Sequence, residues 1–137
     1  VSPHDNGDEL IAPLSNHGRG TLTLINGTQY DAVVNMITDE RVRRSIFISA
    51  GQTAILSHIS QGTYEVRVAQ GNAWSDDAHA FNEPAGYFAF PHPYTFEETA
   101  KDSGIEYDKI SLTLHEVPDG NIIKVPITEA AFWPPGQ

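Results

Sequence analysis

The chain has 137 residues, 18 Asp and Glu against 8 Lys and Arg, a formal net charge of -10 and no cysteine. That length suits one core rather than two, and the missing thiols exclude disulfides, zinc ribbons, thiol catalysis and iron–sulfur ligation. An acidic surface repels phosphate, so no nucleic-acid partner is expected, and no apolar run reaches the roughly 18 residues that membrane insertion requires.

Residues 1–19 combine Pro3, Pro13, Gly7 and Gly18 with one apolar island at Leu10, Ile11 and Leu14. This composition reads as an N-terminal arm, and the island suits a short strand laid on a sheet edge of this copy or a neighbour. From Gly20 the period becomes two. Leu22 and Leu24 alternate with threonines, Asn26-Gly27-Thr28 reads as a hairpin turn, and Ala32, Val34 and Met36 form the returning strand. Asp39-Glu40 and the cluster Arg41, Arg43 and Arg44 then fall in a connection; these arginines are three of the eight positive charges. Ile46 and Ile48 begin a third strand, 55–59 a fourth, and Tyr64, Val66 and Val68 a half-buried fifth that Gly71-Asn72 ends.

A long irregular stretch is expected from there to about Ile105. It holds seven of the thirteen aromatic residues between Trp74 and Phe96, interrupted by Pro84, Pro91 and Pro93. Two readings are open: the rings plug a flank of the fold, or Trp74, Tyr87 and Tyr94 stack on sugar rings while nearby Asp and Asn side chains bind hydroxyls. Ile110, Leu112 and Leu114 restore the alternation, Pro118-Asp119-Gly120-Asn121 turns the chain, and 122–127 is extended but edge-bound because of Pro126. One helical turn fits 128–131. Phe132-Trp133-Pro134-Pro135 follows as an aromatic-proline end that cannot be a regular helix.

No window sustains a helical period. Seven or eight short strands at this spacing predict an all-β, immunoglobulin-like or transthyretin-like antiparallel sandwich with a long aromatic-rich loop. Its divisions are an arm at 1–19, a sandwich at 20–132 and a tail at 133–137.

Catalytic patterns are weak. Asp102-Ser103-Gly104 lacks the apolar strand that would bury an aspartic-protease carboxylate, adjacent acidic pairs point to opposite strand faces, and no nucleophile elbow or phosphate cradle is present. Of the histidines, only His79 beside Asp76-Asp77 has local ligand spacing, with His92 as a distant helper, so neither metal nor cofactor is expected. Asn26-Gly27-Thr28 is also a glycosylation sequon, which a turn would expose.

The series Gly20-Thr-Leu-Thr-Leu-Ile-Asn-Gly-Thr28, Asp31-Ala-Val-Val34, Ala50-Gly51, Gln61-Gly-Thr-Tyr64 and Gly71-Asn-Ala-Trp74 resembles a small all-β domain that recurs in bacterial proteins. The likeness continues in 111–114 and 120–127 and covers roughly 20–132. It implies a fold and carries no activity or catalytic residue.

These readings converge on a non-enzymatic, extracellular, structural or self-assembling subunit whose partners are other copies of itself, in a filament or a closed oligomer. Export fits a chain that begins at Val1. Subunit contacts are expected at Leu10, Ile11, Leu14, Arg41, Arg43, Arg44, Phe132 and Trp133. The alternatives are a glycan-binding module using Trp74, Tyr87 and Tyr94, and a passive accessory domain of a larger exported protein.

Overall fold

A computed structural model describes residues 6–7, 9–10, 20–38, 41–75, 80–90, 92–101, 104–107, 109–114, 125–127 and 132. Eleven strands are found among them: β1 (Gly20–Ile25), β2 (Asp31–Thr38), β3 (Arg41–Ile48), β4 (Thr53–Ile59), β5 (Gly62–Ser75), β6 (Ala80–Ala89), β7 (Tyr94–Phe96), β8 (Glu98–Lys101), β9 (Gly104–Tyr107), β10 (Lys109–Thr113) and β11 (Val125–Pro126). They form an all-β sandwich. A small sheet has the order β10-β1-β4, a large one has β11-β6-β5-β2-β3, and β8 pairs with β9 in a separate hairpin. All pairings are antiparallel except β1 with β10, which run parallel from Thr21↔Lys109 to Ile25↔Thr113. An immunoglobulin constant-type order would seat the second strand between the first and the fifth; here β2 lies between β3 and β5.

The two-residue alternation assigns each face. Leu22 and Leu24 of β1, Ala54 and Leu56 of β4 and Leu112 of β10 point inward from the small sheet. Val34 and Met36, Ile46 and Ile48, Val66 and Val68, and Phe88 meet them from the large sheet. Burying a chain of such aliphatic groups is the main favourable term of the fold, at about 25 cal/mol per Å² of apolar area.

The expected hairpin between the first two strands does not form. β1 belongs to the small sheet and β2 to the large one, so residues 26–30 arch between the layers. Asn26 explains the difference. Its Nδ2 donates to the carbonyls of Tyr30 (2.8 Å), Ile48 (3.3 Å) and Ser49 (3.3 Å), while its Oδ1 accepts from Thr28 N (3.2 Å) and Oγ1 (2.6 Å). The side chain therefore fixes an Asx-type turn and ties it to the β3–β4 connection, where the main chain adds Asn26 N to Gln52 O and Gly51 N to Thr28 O.

The aromatic-rich stretch is also more regular than its prolines suggest. β5 continues past Gly71-Asn72 to Ser75, and β6 returns along it from Ser75↔Ala80 to Arg67↔Ala89, with Pro84 opposite Gly71 at a register shift. β7 then resumes on the same side of β5 at Tyr64↔Tyr94, so β6 and β7 follow one another along that strand. Gly71 is required at the shift: a Cβ there would lie 2.6 Å from the Glu83 carbonyl and 2.8 Å from Phe81 Cβ.

Candidate functional site

In the large sheet, β2 is buried at six consecutive positions, Ala32 to Ile37. Its even-numbered side chains fill the sandwich, so the odd-numbered ones need a second cover. Val33, Phe47, Ala69, Trp74 and Phe81 form that second apolar cluster on the outer face, and what closes it comes from the two ends of the chain: Leu10, Ile127 and Phe132.

The arm lies on the edge of β3. Glu9 bridges Ile46 in antiparallel fashion, Leu10 N donates to Ser45 O (2.8 Å) and Gly7 N to Phe47 O (2.8 Å). Asn6 adds two bonds, accepting from Ser49 N (2.9 Å) and donating to Thr53 O (3.0 Å) on β4. An extended segment that satisfies edge carbonyls in this way is β-strand addition, here within one chain.

Arg44 locks the same seam. It points inward from β3, and its Nε donates to Glu9 Oε1 (2.8 Å), Nη1 to His58 O (2.9 Å) and Nη2 to Ser57 O (2.8 Å). One planar guanidinium thus joins the arm, the large sheet and the small sheet, using the fork geometry that a lysine lacks. His58 holds a left-handed backbone (φ 58°) as it presents its carbonyl. Close by, Tyr64 donates to Ser60 O (2.8 Å); burial raises its phenol pKa, an effect partly opposed by the charges of Arg44 and Arg43.

At the centre of the outer face sits a polar pair inside the apolar cluster. Asn35 and Ser45 are both fully enclosed. Ser45 Oγ donates to Asn35 Oδ1 (2.6 Å), which fixes the amide so that its Nδ2 donates outward to the main-chain carbonyl of Phe132 (3.2 Å). The Phe132 ring is 1% exposed and lies 5.9 Å from Tyr87. Upstream, the tail is tied to β6 by the two-residue β11 and by Ile127 N to Tyr87 O (3.3 Å).

This geometry revises several expectations drawn from the sequence. Arg41, Arg43 and Arg44 belong to strand β3 rather than to a loop. Arg41 is exposed at its start, Arg43 is half-buried, and Arg44 is spent within its own chain. Trp74 is no open sugar platform, because its ring is 4% exposed and packs edge-on against Phe81 at 5.0 Å. Tyr87 and Tyr94 are half-buried on opposite faces, Tyr87 on the outer cluster and Tyr94 against the inner core through Phe90, so the three rings do not converge. Asn26 is enclosed with its amide engaged, where the sequon reading placed it on the surface. Leu10 and Phe132 do come together on the outer face, whereas Ile11, Leu14 and Trp133 lie outside the described residues, as do Asp76, Asp77 and His79. Among the described residues no three His, Asp or Glu side chains cluster as metal ligands.

The Asn35–Ser45 pair was missed from the sequence, although each is a polar residue flanked by a run of apolar ones, Ala32 to Val34 before Asn35 and Ile46 to Ile48 after Ser45. Compared with protein-family models, curated proteins and solved structures, the chain matches none.

Proposed function

We propose that this chain is a non-enzymatic, extracellular β-sandwich subunit that acts through its surfaces and assembles with other copies by exchanging a terminal segment. One observation carries the reading: the segment Asn6 to Leu10 completes the β3 edge with three main-chain contacts, an Asn6 clasp and the Glu9–Arg44 pair. Such a contact is indifferent to whether the arm belongs to the same copy or to the next. Ten residue steps separate Leu10 from Gly20, which allows a reach of up to about 33 Å. An arm set down on the following copy gives a head-to-tail contact, which grows into a filament unless its rotation closes a ring.

Light scattering and electron microscopy of the full chain, against a chain lacking residues 1–19, test this. Assembly that rises with concentration and disappears with the arm supports it. Two chains that stay equally monomeric at millimolar concentration refute it.

A further inference from the structure

The chain contains two Asn-Gly pairs, Asn6-Gly7 and Asn26-Gly27. In such a pair the glycine has no Cβ to keep its nitrogen from the asparagine side chain, so a mobile Asn-Gly closes on itself more readily than other asparagine pairs. The fold brings both to one place. Asn6 Oδ1 accepts from Ser49 N (2.9 Å) and its Nδ2 donates to Thr53 O (3.0 Å), while Asn26 Nδ2 donates to the carbonyls of Ser49 (3.3 Å) and Ile48 (3.3 Å). The β3–β4 connection is thus clasped by two amides, one from the arm and one from the arch after β1. Their shielding differs. Asn26 is 0% exposed, and its Oδ1 is engaged by Thr28 as well. Asn6 is exposed, and its restraint is the docked arm: Gly7 N, the nitrogen that reacts, donates to Phe47 O (2.8 Å).

We propose that both pairs are self-modification sites opened by different events, Asn6 by release of the arm and Asn26 by unfolding of the sandwich, and that each clasp, once modified, cannot re-form as it was. The proposal holds whether the arm lies on its own copy or on the next. In the opened chain the glycine nitrogen bonds to the asparagine Cγ, the Cγ–Nδ2 bond breaks, and ammonia leaves with the proton that the nitrogen gives up. Water then opens the cyclic imide. Cleavage of the new bond to Cγ gives aspartate; cleavage of the bond to the main-chain carbonyl carbon gives isoaspartate, whose main chain is one methylene longer. Nothing is oxidised or reduced. Either product exchanges an amide for a carboxylate, which accepts hydrogen bonds and donates none. At position 6 this sets oxygen against Thr53 O; at position 26 it sets oxygen against the Ile48 and Ser49 carbonyls inside a closed site, where an unpaired charge is most costly.

The test incubates the full chain in mildly alkaline buffer, with and without guanidinium chloride, and follows each site by mass spectrometry of proteolytic peptides and by isoaspartate labelling. In denaturant the two sites are expected to convert at similar rates. In native buffer Asn26 is expected to convert at least about tenfold more slowly than Asn6, because arm release is a smaller opening than global unfolding. Glu9→Ala, which removes the arm's charge pair with Arg44, should speed Asn6 severalfold relative to Asn26. Asn26→Asp, the product made genetically, should melt lower than the unaltered chain or fail to fold, and Asn6→Asp should leave residues 1–19 more open to protease. Equal native rates at the two sites, or no change in their ratio in Glu9→Ala, overturn the graded shielding. Aspartate variants with the melting temperature and protease resistance of the unaltered chain overturn the one-way clasp. The comparison of native with denatured chain needs no variant, so it decides the shielding even where a variant does not fold.

Discussion

On its inner face the large sheet presents Val34, Met36, Ile46 and Val66 to the side chains of a second sheet; on its outer face Val33, Phe47 and Ala69 meet the ends of the chain. The inner cluster is aliphatic in the main, comes from strands that alternate regularly, and holds its partners through two sheets. The outer cluster is dominated by aromatic rings, encloses a hydrogen-bonded amide, and is closed by segments tied down through short edge contacts. Removing a side chain from the first opens a cavity that the surrounding sheets fill only in part, whereas the second is closed in part by Leu10, Ile127 and Phe132 from outside strands β1 to β10. The two faces of one sheet are thus closed in different ways, one by a second sheet and one in part by segments from outside the central strands.

The largest expected effect breaks the inner face. Leu24 is fully buried there, and Leu24→Ala is expected to cost about 3 kcal/mol or more, read as a lower urea midpoint with all probes shifting together. Next comes the seam. Arg44→Met keeps most of the buried stem and removes all three bonds across β3, β4 and the arm, for a loss of about 2 kcal/mol, discounted because the Glu9 carboxylate is a third exposed. Faster proteolysis in residues 1–19 ahead of any change in the sandwich distinguishes arm release from global loss.

A smaller change sharpens the contrast. Ser45→Ala leaves Asn35 Oδ1 unsatisfied in a closed apolar site and is expected to cost about 1 to 2 kcal/mol. The double variant Asn35→Leu with Ser45→Ala removes both partners and is expected to recover most of that loss by denaturant titration. A double variant as unstable as the sum of its parts would show that the loss comes from packing and not from an unsatisfied amide.

The smallest effect is one of pH. Burial raises the Tyr64 phenol above the ordinary 10.0, so the folded protein holds this proton more tightly than the unfolded chain. The associated stability is complete below pH 10.0 and declines as pH rises through the folded value. Arg44→Met removes a charge that lowers this pKa, so the tyrosine absorbance change should move to still higher pH in that variant.

The inner face was legible in the sequence because it obeys a period of two. Leu22 and Leu24, Val34 and Met36, and Val66 and Val68 were all placed on strands by alternation alone. Pairing was less legible. Asn26-Gly27 has the letters of a hairpin, but Asn26 donates to carbonyls of a distant connection, and only the assembled sheets bring Ile48 and Ser49 within its reach. Alternation is incomplete where both faces are buried: the even-numbered positions of β2 place it on a strand, but nothing in the period shows that Val33 and its outer-face neighbours are buried as well. Arg43 and Arg44 looked like a solvated connection because a charge inside a strand is unusual; Arg44 is tolerated through three acceptors, one from the arm and two from neighbouring carbonyls of β4. Of the site itself, Leu10 and Phe132 were legible as unattached apolar residues at the ends, whereas Asn35 and Ser45, 10 residues apart, had nothing in the sequence to join them.

The parallel pairing of β1 with β10 has a mechanical consequence. Tension applied between Gly20 and Thr113 pulls these two neighbours in opposite directions along their common axis, so the rungs from Thr21↔Lys109 to Ile25↔Thr113 are strained together rather than opened one at a time. The sandwich is therefore built to resist shear between those points, and a pull applied beyond the arm and beyond Phe132 must first peel the arm from β3 and the Phe132 ring from the outer cluster before the force reaches that pair.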